Sequence, residues 1–202
     1  MAVDLSHAVT PEEARTLDGL LRERVRRTPD AIAYRDFNRA HANWRDYSWA
    51  QIDRQVARWQ AALQGEGLDA GDRVAVMMRN CPEWVVFDQA ALGLGLVVVP
   101  LYTQDRPDNV AYILNDADCK VLLFASVEQW QSFEGVRDQL GGIKRILIVE
   151  PLQTAPDDPR VSALEAWLPD EGGATRHLPV DPQALATRSE EHTSELQSRE
   201  TI

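Results

Sequence analysis

The sequence predicts an α/β fold, a partial doubly wound parallel sheet with crossover helices, and three observations carry that prediction. Arg73–Met78, Leu96–Leu101 and Lys120–Phe124 are short runs rich in Val and Leu, which suits strands buried on both faces. Between the second and third runs, Val110, Ile113, Leu114 and Ala117 recur at i, i+3, i+4 and i+7, one face of a helix. Between the first and second, Pro82 to Leu94 is apolar nearly all round, as expected of a helix packed on two sides. Strand, helix, strand, helix, strand is the order of a parallel sheet with crossover connections.

The elements around this centre follow from local signals. Residues 1–15 show no periodicity and are expected to form a disordered tail. Leu17, Leu20, Leu21 and Val25 make an apolar stripe after Thr16, and Arg24, Arg26 and Arg27 fall in the last turn, where the helix end favours cations. Thr28-Pro29 stops that helix. Ala31–Arg35 and Trp44–Tyr47 read as two strands joined by a polar, hairpin-like link. Ser48 and Gln51 have the spacing of a capping box, with Tyr47 and Ile52 placed for a hydrophobic staple. Ile52, Val56, Trp59 and Leu63 continue the face until Gly65 and Gly67 end it. Ser126 and Gln129 repeat the capping-box spacing ahead of Val127, Trp130, Phe133 and Val136, Gly141-Gly142 breaks the helix, and Arg145–Val149 is a further short strand. From Pro151 the chain is rich in Pro, Gly and Asp, so 151–187 is expected to be loop-rich, with Val161–Leu168 a short helix.

The totals exclude several classes of function. The chain has 202 residues and a formal net charge of −11, which argues against a nucleic-acid binder and against stable docking on anionic lipid. No apolar run approaches the roughly 18 residues that span a bilayer, and the amino terminus lacks the layout of a secretory signal. A cytoplasmic location is therefore expected. Cys81 and Cys119 stand apart from each other and from any histidine, and read as buried small hydrophobes.

No catalytic constellation emerges from the residues themselves, and the expected catalytic, cofactor-binding and metal-ligating sets are all empty. His7, His41, His177 and His192 are scattered, without metal-ligand spacing. Gly93 and Gly95 lie inside GLGLVVV with no helix start following them. The first is read as ending the preceding helix and the second as allowing close packing, rather than as a phosphate loop. Gly141-Gly142-Ile143-Lys144 leads into a strand and reads as a turn, and Trp84, Trp130 and Trp167 sit on apolar helical faces and read as core.

The stretch from Tyr47 to Leu123, with its GDRVAVMMRNCPEW, VVVPL and AYILNDAD segments, resembles the amino-terminal part of the AMP-forming acyl-CoA ligases, the acyl-adenylate superfamily. Within it, PLYTQDRPDNVAYILNDAD is most similar to bacterial long-chain fatty acid–CoA ligases. The resemblance covers Leu17 to Thr187 and implies the opening part of the large, AMP-binding domain. It implies a reaction in which a carboxylate attacks the α-phosphorus of ATP and CoA thiol then displaces AMP. ATP, Mg and CoA are thus implied for the full-length family, with a fatty acid as substrate and peripheral membrane association open to the parent enzyme.

In that family a segment like Asp181–Thr187 leads into an apolar strand and a phosphate-binding loop of the type TSGTTG-x-PKG. Here Thr187 is followed by RSEEHTSELQSRETI, which resembles translated sequencing adapter. The expected organisation is a tail at 1–15, a truncated adenylation domain at 16–187 and an artefactual tail at 188–202, with no cofactor bound by the fragment and no activity of its own. A non-catalytic interaction module with this fold, and a ligase for shorter acyl or aryl acids, remain as alternatives.

Overall fold

A computed structural model of the chain describes residues 8–38, 41–154 and 156–189. Their elements are α1 (Pro11–Ala14), α2 (Leu17–Arg27), β1 (Ile32–Asn38), β2 (Asn43–Ser48), α3 (Trp49–Gly65), β3 (Arg73–Met77), α4 (Pro82–Gly93), β4 (Val97–Pro100), α5 (Pro107–Asp116), β5 (Cys119–Phe124), α6 (Val127–Ser132), β6 (Arg145–Ile148), β7 (Val161–Ala163) and α7 (Leu164–Trp167), with a 3-10 turn at Glu134–Gln139. Five strands form a parallel sheet in the order β4-β3-β5-β6-β7. β1 and β2 form a separate antiparallel ribbon. The α/β parallel sheet expected from the apolar runs is the fold observed.

Alternation along each strand sorts the sheet's side chains into two cores. Val74, Val76, Val98, Val121, Leu123 and Leu147 face the layer of α2, α3, α4 and α7. Ala75, Met77, Val99, Leu122, Phe124, Ile146 and Ile148 face α5, α6 and the 3-10 turn. Both faces are therefore dry, which is why the strands read as continuous apolar runs rather than alternating ones.

The predicted helix starts have the expected chemistry. Ser48 and Ser126 each close a capping box with Gln51 and Gln129. Thr10 and Glu13 make a third box at α1, with Pro11 at the first helical position. Part of the expected 1–15 tail is thus helical, because the box satisfies two backbone N–H groups and Pro supplies a helical φ. Residues 1–7 lie outside the described residues.

Two further differences concern backbone geometry. Gly93 closes α4 as expected, but it is also where close approach matters, since a Cβ there would lie 2.4 Å from Gln60 Nε2 and 2.7 Å from the Arg176 carbonyl oxygen. Gly95 has φ +69, in the left-handed region that side chains avoid. Val161–Ala163 is a strand at the sheet edge rather than the start of a helix, with only Leu164–Trp167 helical after it.

The loop-rich end of the chain is pinned where the sequence shows no periodicity. Residues 172–180 form a strap across the helical layer. Thr175 Oγ1 donates to Asp53 Oδ1 at 2.7 Å, the Arg176 N–H donates to Gln60 Oε1 at 2.7 Å, and Gln60 Nε2 donates back to the Arg176 carbonyl at 2.8 Å. His177 Nδ1 lies 3.0 Å from Asp18 Oδ2, and the Leu178 N–H donates to the Gly93 carbonyl. The strap then reaches the sheet. Thr187 bridges Val98 in parallel and the Arg188 N–H donates to the Val98 carbonyl at 3.0 Å. Arg188 also pairs with Asp116 at 2.6 Å, so the first residue of the stretch read as adapter-derived is attached to the sheet edge. Residues 190–202 lie outside the described residues.

Gly172 sets how closely the strap lies on α3, since a Cβ there would stand 2.1 Å from the Ala57 carbonyl carbon. Gly172→Ala is expected to cost roughly 1–3 kcal/mol of stability, the usual range for overpacking a tight contact, in urea unfolding. Gly141→Ala, where the new methyl meets open space, is the control and should stay within about 0.5 kcal/mol.

Candidate functional site

In open parallel sheets, ligands sit outside the carboxyl ends of the strands, where successive connections leave on opposite faces. Here β3 leads into α4 on one face, while β4 and β5 lead into α5 and α6 on the other. The change of face therefore falls at β3, and the candidate site is the strand-end surface made by residues 78–81, 101–106 and 125–126.

Gln129 organises this surface. Its Oε1 accepts from the Ala125 N–H at 2.8 Å and the Ser126 N–H at 3.3 Å, and its Nε2 donates to the Met77 carbonyl at 3.0 Å. One side chain thereby caps α6 and ties the ends of β3 and β5 together. α4 and α5 start differently. Pro82 and Pro107 begin them, and the preceding Cys81 and Arg106 make no side-chain cap.

The polar side chains here are Arg79 and Asn80, both exposed, together with Arg106, which is paired with Asp108, and Asn109, which donates to Asp105 at 2.5 Å. Burial pushes the Cys81 thiol up to about 11, so it is no thiolate nucleophile at neutral pH. Burial also pushes Cys119 up to about 12, and both cysteines are free, in keeping with their reading as small hydrophobes. The surface can orient an anionic or polar group, but among the described residues it brings together no base and nucleophile.

The described residues likewise do not fit a nucleotide and its metal. No group of three or more His, Cys, Asp or Glu side chains among them is placed to hold a metal ion. The glycines at 93 and 95 are packed against Gln60, Arg176 and Val180, and Gly141-Gly142 precedes a strand. No step of nucleotide chemistry is therefore assigned to these residues.

The histidines do not converge. His41 is exposed in the β1–β2 link, His177 pairs with Asp18, and His7 and His192 lie outside the described residues. Trp130 is buried beneath the Arg137 guanidinium, 4.2 Å from its ring centroid. Trp84 and Trp167 pack against the first core, with Trp167 Nε1 donating to Glu66 at 2.7 Å. Trp130 is thus a core residue, and Trp84 and Trp167 are half-buried against the core.

Two carboxyls, buried Asp18 and half-buried Asp88, escaped the sequence reading because neither lies in a recognisable motif. Asp18 is only 4% exposed. Burial drives its pKa upward, but hydrogen bonds from His177, Thr16 and the Gly19 N–H, with the His177 charge, outweigh that and leave it below the usual aspartate range. Asp88 shifts the other way. Burial raises its pKa against a single opposing hydrogen bond from Gln89 Nε2 at 3.0 Å. Gln89 Oε1 is buried with no hydrogen-bond partner among the described residues. Burial and the Asp88 charge together raise the Tyr34 phenol.

A separate apolar cleft of about 400 Å³ lies beside α2, lined by Leu17, Leu20, Leu92, Leu96, Val180 and Leu185 among others. It opens at the amino end of β4, away from the strand-end surface.

Comparison with known proteins bears on what this frame belongs to. The profile of the family described as "AMP-binding enzyme" matches residues 21–190. The long-chain-fatty-acid–CoA ligase FadD15 of Mycobacterium bovis is 30% identical over 166 residues, covering 82% of this chain and 25% of that protein. Long-chain-fatty-acid–CoA ligase 6 of Mus musculus is 30% identical over 155 residues, covering 68% of this chain and 21% of that protein. The crystal structure of coronafacic acid ligase from Pectobacterium brasiliense superimposes with a TM-score of 0.73 at 15% identity, over 85% of this chain and 32% of that one, a likeness of fold. The chain thus spans a quarter or less of the curated relatives named.

Two measurements check the electrostatics. An aspartate whose folded pKa is raised costs stability as pH climbs from the ordinary aspartate value, about 4, through the folded value. Asp88→Asn should therefore stabilise the protein at pH 7 and leave it unchanged near pH 3. Asp18 has the opposite sign. Its contribution is present above the ordinary aspartate value and disappears as pH falls through the depressed one, so Asp18→Asn should cost roughly 1–3 kcal/mol at pH 7 and far less in strong acid, by urea unfolding at each pH.

Proposed function

We infer that this chain, which belongs to the AMP-binding enzyme family, is the opening part of an AMP-forming long-chain fatty acid–CoA ligase. The whole enzyme would convert a fatty acid, ATP and CoA into acyl-CoA, AMP and pyrophosphate, with Mg on the nucleotide phosphates. The observation that carries this reading is the 30% identity to a named long-chain ligase across 82% of this chain. The match of the family profile to residues 21–190 supports it.

The role of these residues in that enzyme is architectural. β3 and its neighbours build one wall of the large domain, and Gln129 holds the strand ends at which the remaining chain would complete a site. Transition-state charge on phosphate oxygens needs cations and N–H donors aimed at it, and the described residues supply no such cluster. On this reading the nucleotide is held by chain beyond this part. A cytoplasmic enzyme that meets its substrate at a membrane surface fits the same reading.

Expression of the uninterrupted coding sequence running past codon 187 is expected to yield palmitoyl-CoA from palmitate, ATP, Mg and CoA. The 202-residue chain alone is expected to release no pyrophosphate above blank under those conditions. A full-length product that activates acetate or benzoate but not palmitate would sink the long-chain assignment. Turnover by the 202-residue chain would sink the architectural one.

A further inference from the structure

Gln129 does more than a capping residue needs to do. Gln51 holds the same position in the capping box that opens α3, and there only its oxygen is used. Gln51 Oε1 accepts from the Ser48 N–H at 2.7 Å, and its amide nitrogen makes no hydrogen bond among the described residues. Glu serves such a box as well as Gln, because the box asks only for an acceptor. Gln129 uses both ends of its amide. Its Oε1 accepts from Ala125 as well as from Ser126, and its Nε2 donates to the carbonyl of Met77, 52 residues away in the chain. Accepting through one atom and donating through the other takes an amide, which a carboxylate cannot replace.

The partners of this amide are the two groups that a further rung of the sheet would join. The Val76 carbonyl accepts from the Leu101 N–H just beyond β4, so by alternation the Met77 carbonyl points the other way, toward β5. Met77 lies opposite Phe124, and the slanted bonds of a parallel pair would bring it the N–H of the next residue, Ala125. That N–H goes to Gln129 Oε1 instead, at 2.8 Å, while Gln129 Nε2 reaches the Met77 carbonyl at 3.0 Å. A side-chain amide is therefore inserted as the last rung between β3 and β5. Two bonds in series with an amide between them hold the strand ends farther apart than one direct bond of about 2.9 Å. The widening falls at β3, where the connections change face and where open α/β sheets form their binding crevice. The turn at 78–81 leaves from the same Met77 peptide and carries the exposed Arg79 and Asn80.

We propose that Gln129 is a positioning residue of the complete enzyme, its inserted amide setting the width of the crevice between the ends of β3 and β5 and the course of the turn at 78–81. Its amide is engaged with the protein at both ends, so it acts through the shape of one wall rather than on a reacting atom. The reaction it serves rests on the ligase reading above, whereas the inserted rung stands on the hydrogen bonds alone.

Gln129→Glu separates capping from spacing, because glutamate keeps the acceptor bonds of the cap and loses the donor to Met77. In the full-length enzyme it should lower kcat/KM at least tenfold, through a raised KM for one substrate with kcat within threefold. Varying palmitate, ATP and CoA in turn shows which of them the crevice seats. Gln51→Glu, the same change in a cap without a rung, should leave every constant within twofold. Gly172→Ala, which strains the strap instead, should do the same and so separates this loss from mere destabilisation. In the 202-residue chain, amide hydrogen exchange at 78–81 should quicken at least fivefold in Gln129→Glu and not in Gln51→Glu. Unchanged kcat/KM in Gln129→Glu, a loss confined to kcat, an equal loss in Gln51→Glu, or unaltered exchange at 78–81 would each overturn the proposal. If the unchanged full-length enzyme activates another acid but not palmitate, the long-chain assignment fails while the same variants, measured on that acid, still judge Gln129.

Discussion

β3 is hydrogen-bonded to β4 on one side and β5 on the other, and its side chains alternate between two sealed cores. A strand in that position has no solvent face and no free edge, so its neighbours must supply backbone partners and its flanking helices must supply cover. The rest of the molecule follows from that requirement. α4 is apolar nearly all round because it lies between the sheet and the outer helices α2 and α3, and burial of Val86, Phe87, Ala91 and Leu92 shows contact around much of its girth. The charged faces of α3 and α5 remain outside, where Asp53 and Arg58 are still reachable by the strap and by α7.

The polar groups that the helical layer buries or half-buries are matched by a segment distant in sequence. Asp18, Asp53 and Gln60 stand on α2 and α3, and each is satisfied by residues 175–177. Gly172 and Gly93 remove side-chain bulk where the backbone must come closest. A buried carboxylate or amide without such a partner costs far more than the net value of one hydrogen bond. The strap is therefore a structural requirement of the layer rather than slack chain. Asp88 and Gln89, on the face of α4 near Tyr34, are the exception in being incompletely matched among the described residues.

Much of this was legible before any coordinates. The Val- and Leu-rich runs located β3, β4, β5 and β6, because doubly buried strands leave no polar alternation to confuse the pattern. The Ser48/Gln51 and Ser126/Gln129 spacings located two helix starts, because capping boxes are local chemistry. What stayed hidden depends on partners far along the chain. Val161–Ala163 becomes a strand because β6 offers it an edge, and the strap is ordered by side chains more than a hundred residues away. Gln129's reach to the Met77 carbonyl is hidden in the same way beneath its capping role. The candidate site was legible only as a resemblance, since the strand-end surface carries no catalytic set whose spacing could announce it.

The Asp18–His177 contact closes a loop of 159 residues. During synthesis the chain emerges from its amino end, so α2, α3, α4 and the first three sheet strands leave the ribosome well before the strap does. Until then Asp18 and Gln60 face open water, and the helical layer lacks its latch. The tightening of this half of the molecule must therefore await emergence of residues 175–177 from the exit tunnel.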